Sequence, residues 1–153
     1  MTRIVNADRD VYAVEARIRR WTTLPTPVHV WGSLWDVEPV ANFTDVSHIQ
    51  AYVDRLVAHV GCPPVSVRER RGNTMAVYEQ CTATIAVPPR NIGGHWAHNE
   101  LVVLHELAHH LSRGAGHGPE FRNAFVDLLQ VTNKPILARM TAFAFAEADL
   151  PID

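Results

Sequence analysis

Residues 101–111, LVVLHELAHHL, form the stretch from which the fold of this chain is most directly predicted. On a helix with about 100° between successive residues, residues 101–113 divide into an apolar half and a half that carries polar side chains. The apolar half consists of Leu101, Val103, Leu104, Leu107, Ala108 and Leu111. The other half consists of Val102, His105, Glu106, His109 and Arg113. The pattern predicts a buried helix from about His98 to Ser112 that directs one polar stripe into a cleft.

Two histidines of this stripe have the spacing of a metal-binding pair. His105 and His109 are four residues apart, so their imidazoles lie about 40° apart around the helix and one turn apart along it. Glu106 lies about 60° beyond His109, outside the ligand pair and beside an open coordination position. The HExxH pattern at residues 105–109 therefore predicts a catalytic zinc site with Glu106 as the general base.

A catalytic zinc ion usually has three protein ligands, so a third ligand is expected. His117 is the first candidate because Gly114 and Gly116 allow the chain to reverse after the helix and return His117 to the metal. Glu120 is the rival candidate. Its alternative role is to stabilise the amino end of the following helix, where a carboxylate is favoured. The sequence favours His117 as the third ligand.

Other polar residues near the helix are weaker candidates for a role in the metal site. His110 lies at the boundary of the apolar half and is expected to be a surface or packed histidine. His95 and His98 precede the helix and are expected to cap or pack as well, with one of them a candidate to face the cleft. Hydrolysis of an amide also needs a donor for the tetrahedral oxyanion. His95, His98, Tyr78 and Arg113 are all candidates, and the sequence favours none of them.

Hydrophobic periodicity and turn residues predict a mixture of short helices and strands outside the central helix. Four further helices are expected: from about Asp8 to Trp21, from Val46 to Val60 between a cap at Thr44 or Asp45 and Gly61, from Gly118 to Val131, and from Pro135 to about Ala148. Strands are expected at residues 28–31, 65–70, 74–78 and 82–87, the last three as an antiparallel meander that turns at residues 71–73. Segregated helices and strands indicate the α+β class, and we expect one domain over residues 1–153.

Composition limits the classes of partner. The 153 residues carry a net charge of −2, which offers no global positive field to a polyanion, so nucleic acid is not an expected partner. No window approaches the ~20 apolar residues of a membrane span, and residues 1–8 lack the apolar run of a secretory signal. Cys62 and Cys81 do not form a C-x-x-C pair. We therefore expect a cytoplasmic protein with neither a membrane anchor nor a cysteine-type zinc site.

The two motifs at residues 105–109, HELAH, and residues 117–121, HGPEF, resemble those of SprT-like and WLM zinc metallopeptidases. These families pair a helical H-E-x-x-H with a downstream His-Gly-Pro-x-Phe. The chain is most similar to a group of short actinobacterial metallohydrolases with the same pair of motifs, over most of its length. The resemblance implies a zincin-like fold, one zinc ion bound by His105, His109 and His117, and Glu106 as catalytic acid and base.

The sequence departs from the patterns of several related zinc-protease families, and these departures argue against assigning it to them. Ser112 stands where a metzincin has glycine, and His117 comes two residues late for that spacing, so the metzincin assignment is rejected. The cysteine-rich ribbon and DNA-binding tail of repair proteases are not found, which argues against a role in DNA repair. Families of phage-associated proteins and stress regulators with a similar helix match less well. They take a distant acidic ligand, for which Glu147 is the only candidate.

The expected function is that of a metallopeptidase acting on a peptide or protein substrate. Glu106 would take a proton from the attacking water and return it to the leaving amine. A peptide substrate is plausible because the strand predicted at residues 82–87, which leads into the helix, could pair with an extended backbone. Two alternatives stay open: a hydrolase of non-peptide amides, and a zinc-binding regulator in which His110 or Glu120 closes the coordination sphere.

Overall fold

A computed structural model describes residues 7–113 and 116–153. Within these residues the chain forms five α-helices and five β-strands, which confirms the α+β class. In chain order they are α1 (Ala7–Thr23), β1 (Val28–Val30), β2 (Ser33–Trp35), α2 (Val46–Val60), β3 (Ser66–Glu69), β4 (Val77–Glu79), β5 (Thr84–Val87), α3 (Glu100–Ser112), α4 (Pro119–Val131) and α5 (Pro135–Glu147). None of these helices is long and apolar enough to cross a membrane.

The chain divides into two compact units, Met1–Pro39 with Gly116–Asp153, and Val40–Ala115. In the first unit, α1 and α4 pack against α5, and β1 pairs with β2 as an antiparallel hairpin. In the second unit, α2 packs against β3, and α3 packs against β4 and β5. The single domain over residues 1–153 stays a prediction.

The three-stranded sheet of the second unit differs from the predicted meander. Its strand order is β3-β5-β4, with β5 parallel to β3 and antiparallel to β4. Residues 71–73 therefore do not form a hairpin turn between neighbouring strands, and the predicted order is wrong. The reason is burial: all four residues of β5 are buried, so β5 takes the centre, while β3 and β4 carry more exposed residues and take the edges.

The central place of β5 also corrects the expectation that its edge could bind a peptide, because β3 and β4 already pair with both of its edges. The outer edge of β3 is covered too. The Gln50 side-chain amide of α2 accepts a hydrogen bond from the Val67 nitrogen at 2.6 Å and donates to the Val65 oxygen at 2.9 Å. These bonds occupy backbone groups that another strand would need. Among residues 7–113 and 116–153, no strand pairs with the outer edge of β4.

The ends of α2 confirm the predicted caps. The Asp45 carboxylate accepts a hydrogen bond from the His48 backbone nitrogen at 2.9 Å, and Gly61 closes the helix in the left-handed conformation with φ 78°. Hydrogen bonds from Ser47 and His48 hold the pKa of Asp45 below its ordinary value. The capping carboxylate therefore stays charged at neutral pH, as a helix amino end favours.

The amino end of α3 is fixed by a buried carboxylate. The Asn99 side chain caps the helix by accepting from the Leu101 nitrogen, and Glu100 is 5 % exposed. The Glu100 carboxylate accepts hydrogen bonds from the Ala41 nitrogen at 2.9 Å and the Tyr52 hydroxyl at 2.5 Å. Burial and the bond to Glu100 raise the pKa of Tyr52 well above its ordinary value, so the phenol keeps its proton and stays a donor.

The carboxyl end of α3 differs in detail from the prediction. The helix ends at Ser112, and Arg113 itself adopts the left-handed conformation, with φ 54° and ψ 35°. The predicted chain reversal rests on Gly114 and Gly116, and residues 114 and 115 lie outside the described residues. Glycine is the usual residue at this position, so the carboxyl cap was not predictable from the nearest glycine.

Gly94 lies in the tight segment that leads into α3, and we predict that Gly94→Ala destabilises the fold. An added Cβ would lie 2.4 Å from the Pro89 oxygen and 2.6 Å from the Pro88 Cβ, so backbone must shift. Overpacking of this kind costs roughly 1–3 kcal/mol. Gly116→Ala is the control because none of the described residues has an atom within 4 Å of its added Cβ. Urea unfolding of both variants measures the difference, and equal midpoints would contradict the packing argument.

Candidate metal centre

Helix α3 brings three residues of the HExxH pattern into a buried environment. His105, Glu106 and His109 are 7 %, 6 % and 7 % exposed, and every residue from Glu100 to His109 is buried. The rings of His105 and His109 lie with centroids 5.1 Å apart at an interplanar angle of 72°. Two imidazoles of one helix face thus stand side by side, as their four-residue spacing predicts.

His117 lies just before α4, and its neighbours in the first unit hold its ring and its backbone. The ring nitrogen Nδ1 lies 2.9 Å from the Asp8 carboxylate of α1, and the rings of Tyr12 and Phe121 meet the imidazole edge-on at centroid distances of 5.0 and 4.7 Å. The His117 carbonyl accepts a hydrogen bond from Arg122 Nη1 at 2.9 Å. His117 is 6 % exposed as a result.

The three predicted ligands form one group. One ring nitrogen each from His105, His109 and His117 lies within 4.8 Å of the other two, and all three side chains are buried. The donor set fits a metal, because each of the three imidazoles offers a ring nitrogen whose lone pair can bind a cation. Three buried histidines therefore lie close enough together to bind a metal ion.

The rival acidic candidates stand apart from this group. Glu120 is exposed in the first turn of α4 and is not a member of the histidine cluster found among the described residues. This position matches its alternative role at the amino end of that helix. Glu147 is bonded to Arg17 at 2.8 Å and to the Trp31 indole nitrogen, and the Arg17 bond lowers its pKa. Neither carboxylate replaces His117 as the third member of the group.

His95 and His98 line a different cavity. It measures about 600 Å³, lies within the second unit, and is also lined by Asp45, Glu69 and Arg90. His98 is buried and its Nε2 lies 3.0 Å from the Pro88 oxygen, whereas His95 is exposed. His98 therefore packs as expected, and neither residue belongs to the histidine group.

His110 has two hydrogen-bond partners of its own. Its Nδ1 lies 2.7 Å from the Tyr78 hydroxyl of β4, and its Nε2 lies 2.8 Å from the Pro63 oxygen. The Pro63 carbonyl can only accept, so Nε2 carries the proton and Tyr78 donates to Nδ1. Burial raises the pKa of Tyr78, which keeps that proton in place. Tyr78 already donates its proton to His110, so it is a poor candidate for the oxyanion donor.

Two residues that hold His117 were missed by the sequence reasoning. Asp8 is 109 positions away in the chain from His117, and Arg122 was assigned only to a helix. A local motif cannot reveal partners that only the packing of separate helices brings together. The one available signal was the presence of charged residues on helices that otherwise bury an apolar face.

Comparisons with known proteins add no relative: no family model, curated protein or solved structure matches this chain.

We predict that Arg122→Met lowers the free energy of unfolding by roughly 1–3 kcal/mol, because the buried His117 carbonyl loses its charged donor. Arg122 is 6 % exposed and also donates to the Pro151 oxygen at 3.4 Å. The matched control is Arg139→Met, since Arg139 is an exposed arginine on α5. Urea unfolding monitored by circular dichroism gives both values. A loss no larger than that of the control would contradict the structural role of Arg122.

Proposed function

We propose that this protein is a zinc-dependent metallohydrolase with a zincin-like site formed by His105, His109, His117 and Glu106. The observation that carries the proposal is the buried group of three imidazoles, together with the buried Glu106 carboxylate on the helix that carries His105 and His109. Three histidine ligands with no cysteine suit zinc, and three protein ligands leave one coordination position for a water or substrate. This pattern is typical of catalytic rather than structural zinc.

Glu106 would perform the proton transfers. A zinc ion held by the three histidines supplies an activated water and polarises the substrate carbonyl. The Glu106 carboxylate accepts the proton of the attacking water and holds it until the leaving amine takes it. Its place on the helix supports this role. Glu106 follows His105 by one residue and precedes His109 by three, so its side chain lies next to these two histidines without being a metal ligand itself.

The position of β4 supports a peptide as the substrate. In the part of the chain that the structure describes, no strand pairs with its outer edge, and the strand itself packs against α3, which carries the HExxH pattern. The Tyr78–His110 hydrogen bond ties β4 to that helix. An extended peptide could add to this edge as a further strand, with its carbonyl brought to α3. We therefore favour a metallopeptidase over a hydrolase of non-peptide amides.

The arrangement argues against a regulator with a closed metal site. Such a site needs a fourth protein ligand. His110 is engaged by Tyr78 and by the Pro63 carbonyl, and Glu120 is exposed and outside the histidine group. Neither of the two residues that would close the site is in place to do so.

The first test combines metal analysis with cleavage of a denatured protein by untagged enzyme. We expect one zinc per chain in the wild type, in Glu106→Gln and in Glu120→Ala, and loss of zinc in His117→Ala. Glu106→Gln should reduce cleavage by roughly 10²- to 10⁴-fold while it keeps the metal, because it removes only the general base. Glu120→Ala is the matched control and should keep both metal and cleavage.

Three other outcomes would contradict parts of this proposal. Zinc loss in Glu120→Ala but not in His117→Ala would mean that Glu120, and not His117, is the third ligand. Stoichiometric zinc with no cleavage of proteins or peptides would favour a non-peptide amide or a regulatory role. Cleavage that is unchanged in Glu106→Gln would mean that Glu106 is not the general base.

The β4 edge makes a separate prediction about the substrate backbone. Peptides that carry a single N-methyl group cannot donate at that position, so methylation should reduce kcat/KM by roughly 3- to 10-fold wherever the amide pairs with β4. Amides point alternately to the two sides of an extended strand, so sensitive and tolerant positions should alternate along the peptide. Kinetics on a series of singly methylated peptides checks this. Uniform tolerance would contradict addition of the substrate to β4.

A further inference from the structure

Asp8 is a charged residue in contact with the ring of His117, and it lies on α1, which carries none of the three clustered histidines. Its Oδ1 lies 2.9 Å from His117 Nδ1, with the imidazole 7 % and the carboxylate 65 % exposed. A carboxylate accepts only, so Nδ1 carries the proton of this hydrogen bond. The neutral imidazole then has its lone pair on Nε2, which is the form a metal ligand needs.

We propose that Asp8 is a positioning residue that fixes the tautomer and orientation of His117 for metal binding; the inference rests on the proposed function. Histidine ligands commonly donate their second nitrogen to a carboxylate, which fixes the ring and makes it a stronger ligand. In this chain His117 lies just before α4 rather than within a helix, and Asp8 and Tyr12 of α1 contact its ring.

One face of α1 is organised around His117. Asp8 and Tyr12 are four residues apart, so they lie on the same side of the helix, one turn apart. The Asp8 carboxylate bonds the imidazole edge, and the Tyr12 ring meets the imidazole at a centroid distance of 5.0 Å and an angle of 66°. Two consecutive turns of α1 thus contact one ring. A simple ion pair on the surface would not need the second contact, which the Tyr12 ring makes with the imidazole.

The zinc affinity of purified variants tests the inference, measured by competition with a chromogenic chelator. We expect Asp8→Ala to bind zinc about 10- to 100-fold more weakly than the wild type. Asp8→Asn keeps an acceptor but loses the charge, so its affinity should fall between the two. Glu120→Gln is the matched control: it also removes a carboxylate from the first turn of a helix, yet that carboxylate is exposed and outside the histidine group, so affinity should not change.

Cobalt absorption separates positioning from mere stability. Replacing zinc with cobalt gives visible bands that respond to ligand geometry, and a weaker fold alone would not shift them. We expect shifted bands in Asp8→Ala and Asp8→Asn, unshifted bands in Glu120→Gln, and native circular dichroism of all three proteins.

The outcomes distinguish this inference from the proposed function. If the wild type binds zinc and both Asp8 variants bind it as tightly with unshifted cobalt bands, only the role of Asp8 is overturned. If the wild type itself binds neither zinc nor cobalt, the metal centre is wrong and this inference fails with it. Weaker binding with shifted bands in the Asp8 variants alone supports the inference.

Discussion

The burial of three imidazole rings within reach of one another is the constraint on which the rest of the structure depends. His105, His109 and His117 each place a ring nitrogen in the same buried group. Polar side chains of this kind add nothing to the packing of an apolar core. One metal ion could bind all three nitrogens, because each has a lone pair to donate to a cation.

The residues packed around α3 hold in place the helix that carries His105 and His109. At its amino end, Glu100 joins the helix to the Ala41 backbone and to Tyr52, which fixes its start. Beside it, the buried strand β5 takes the centre of the sheet, and Gln50 occupies the outer edge of β3. β4 is joined to α3 by the hydrogen bond between Tyr78 and His110, and none of the described strands pairs with its outer edge.

The central helix and the grouping of its two histidines with His117 could be predicted because they depend on local spacing. The i, i+4 rule places His105 beside His109, and His117 follows the helix closely enough for a short loop to return it. The caps of α2 were predictable for the same reason, since Asp45 and Gly61 act on their own helix ends. That the group binds a metal, and that this metal is zinc, stays a prediction.

The sheet and the surroundings of His117 depend on packing between distant parts of the chain, so they could not be predicted. Strand order followed from the burial of β5, which the alternation of its residues did not reveal. The strand β2 was missed because Trp31 and Gly32 form the hairpin turn with left-handed φ angles, where Asn or Gly is the usual first residue. Asp8 shares no local pattern with His117.

Zinc K-edge X-ray absorption of the zinc-loaded protein tests the central claim most directly. The account predicts three imidazole nitrogens at about 2.0–2.1 Å and one oxygen from water, which is the open catalytic pattern. In His117→Ala the imidazole count should fall to two. A first shell with only two imidazoles in the wild type, or with a fourth protein ligand in place of water, would contradict it.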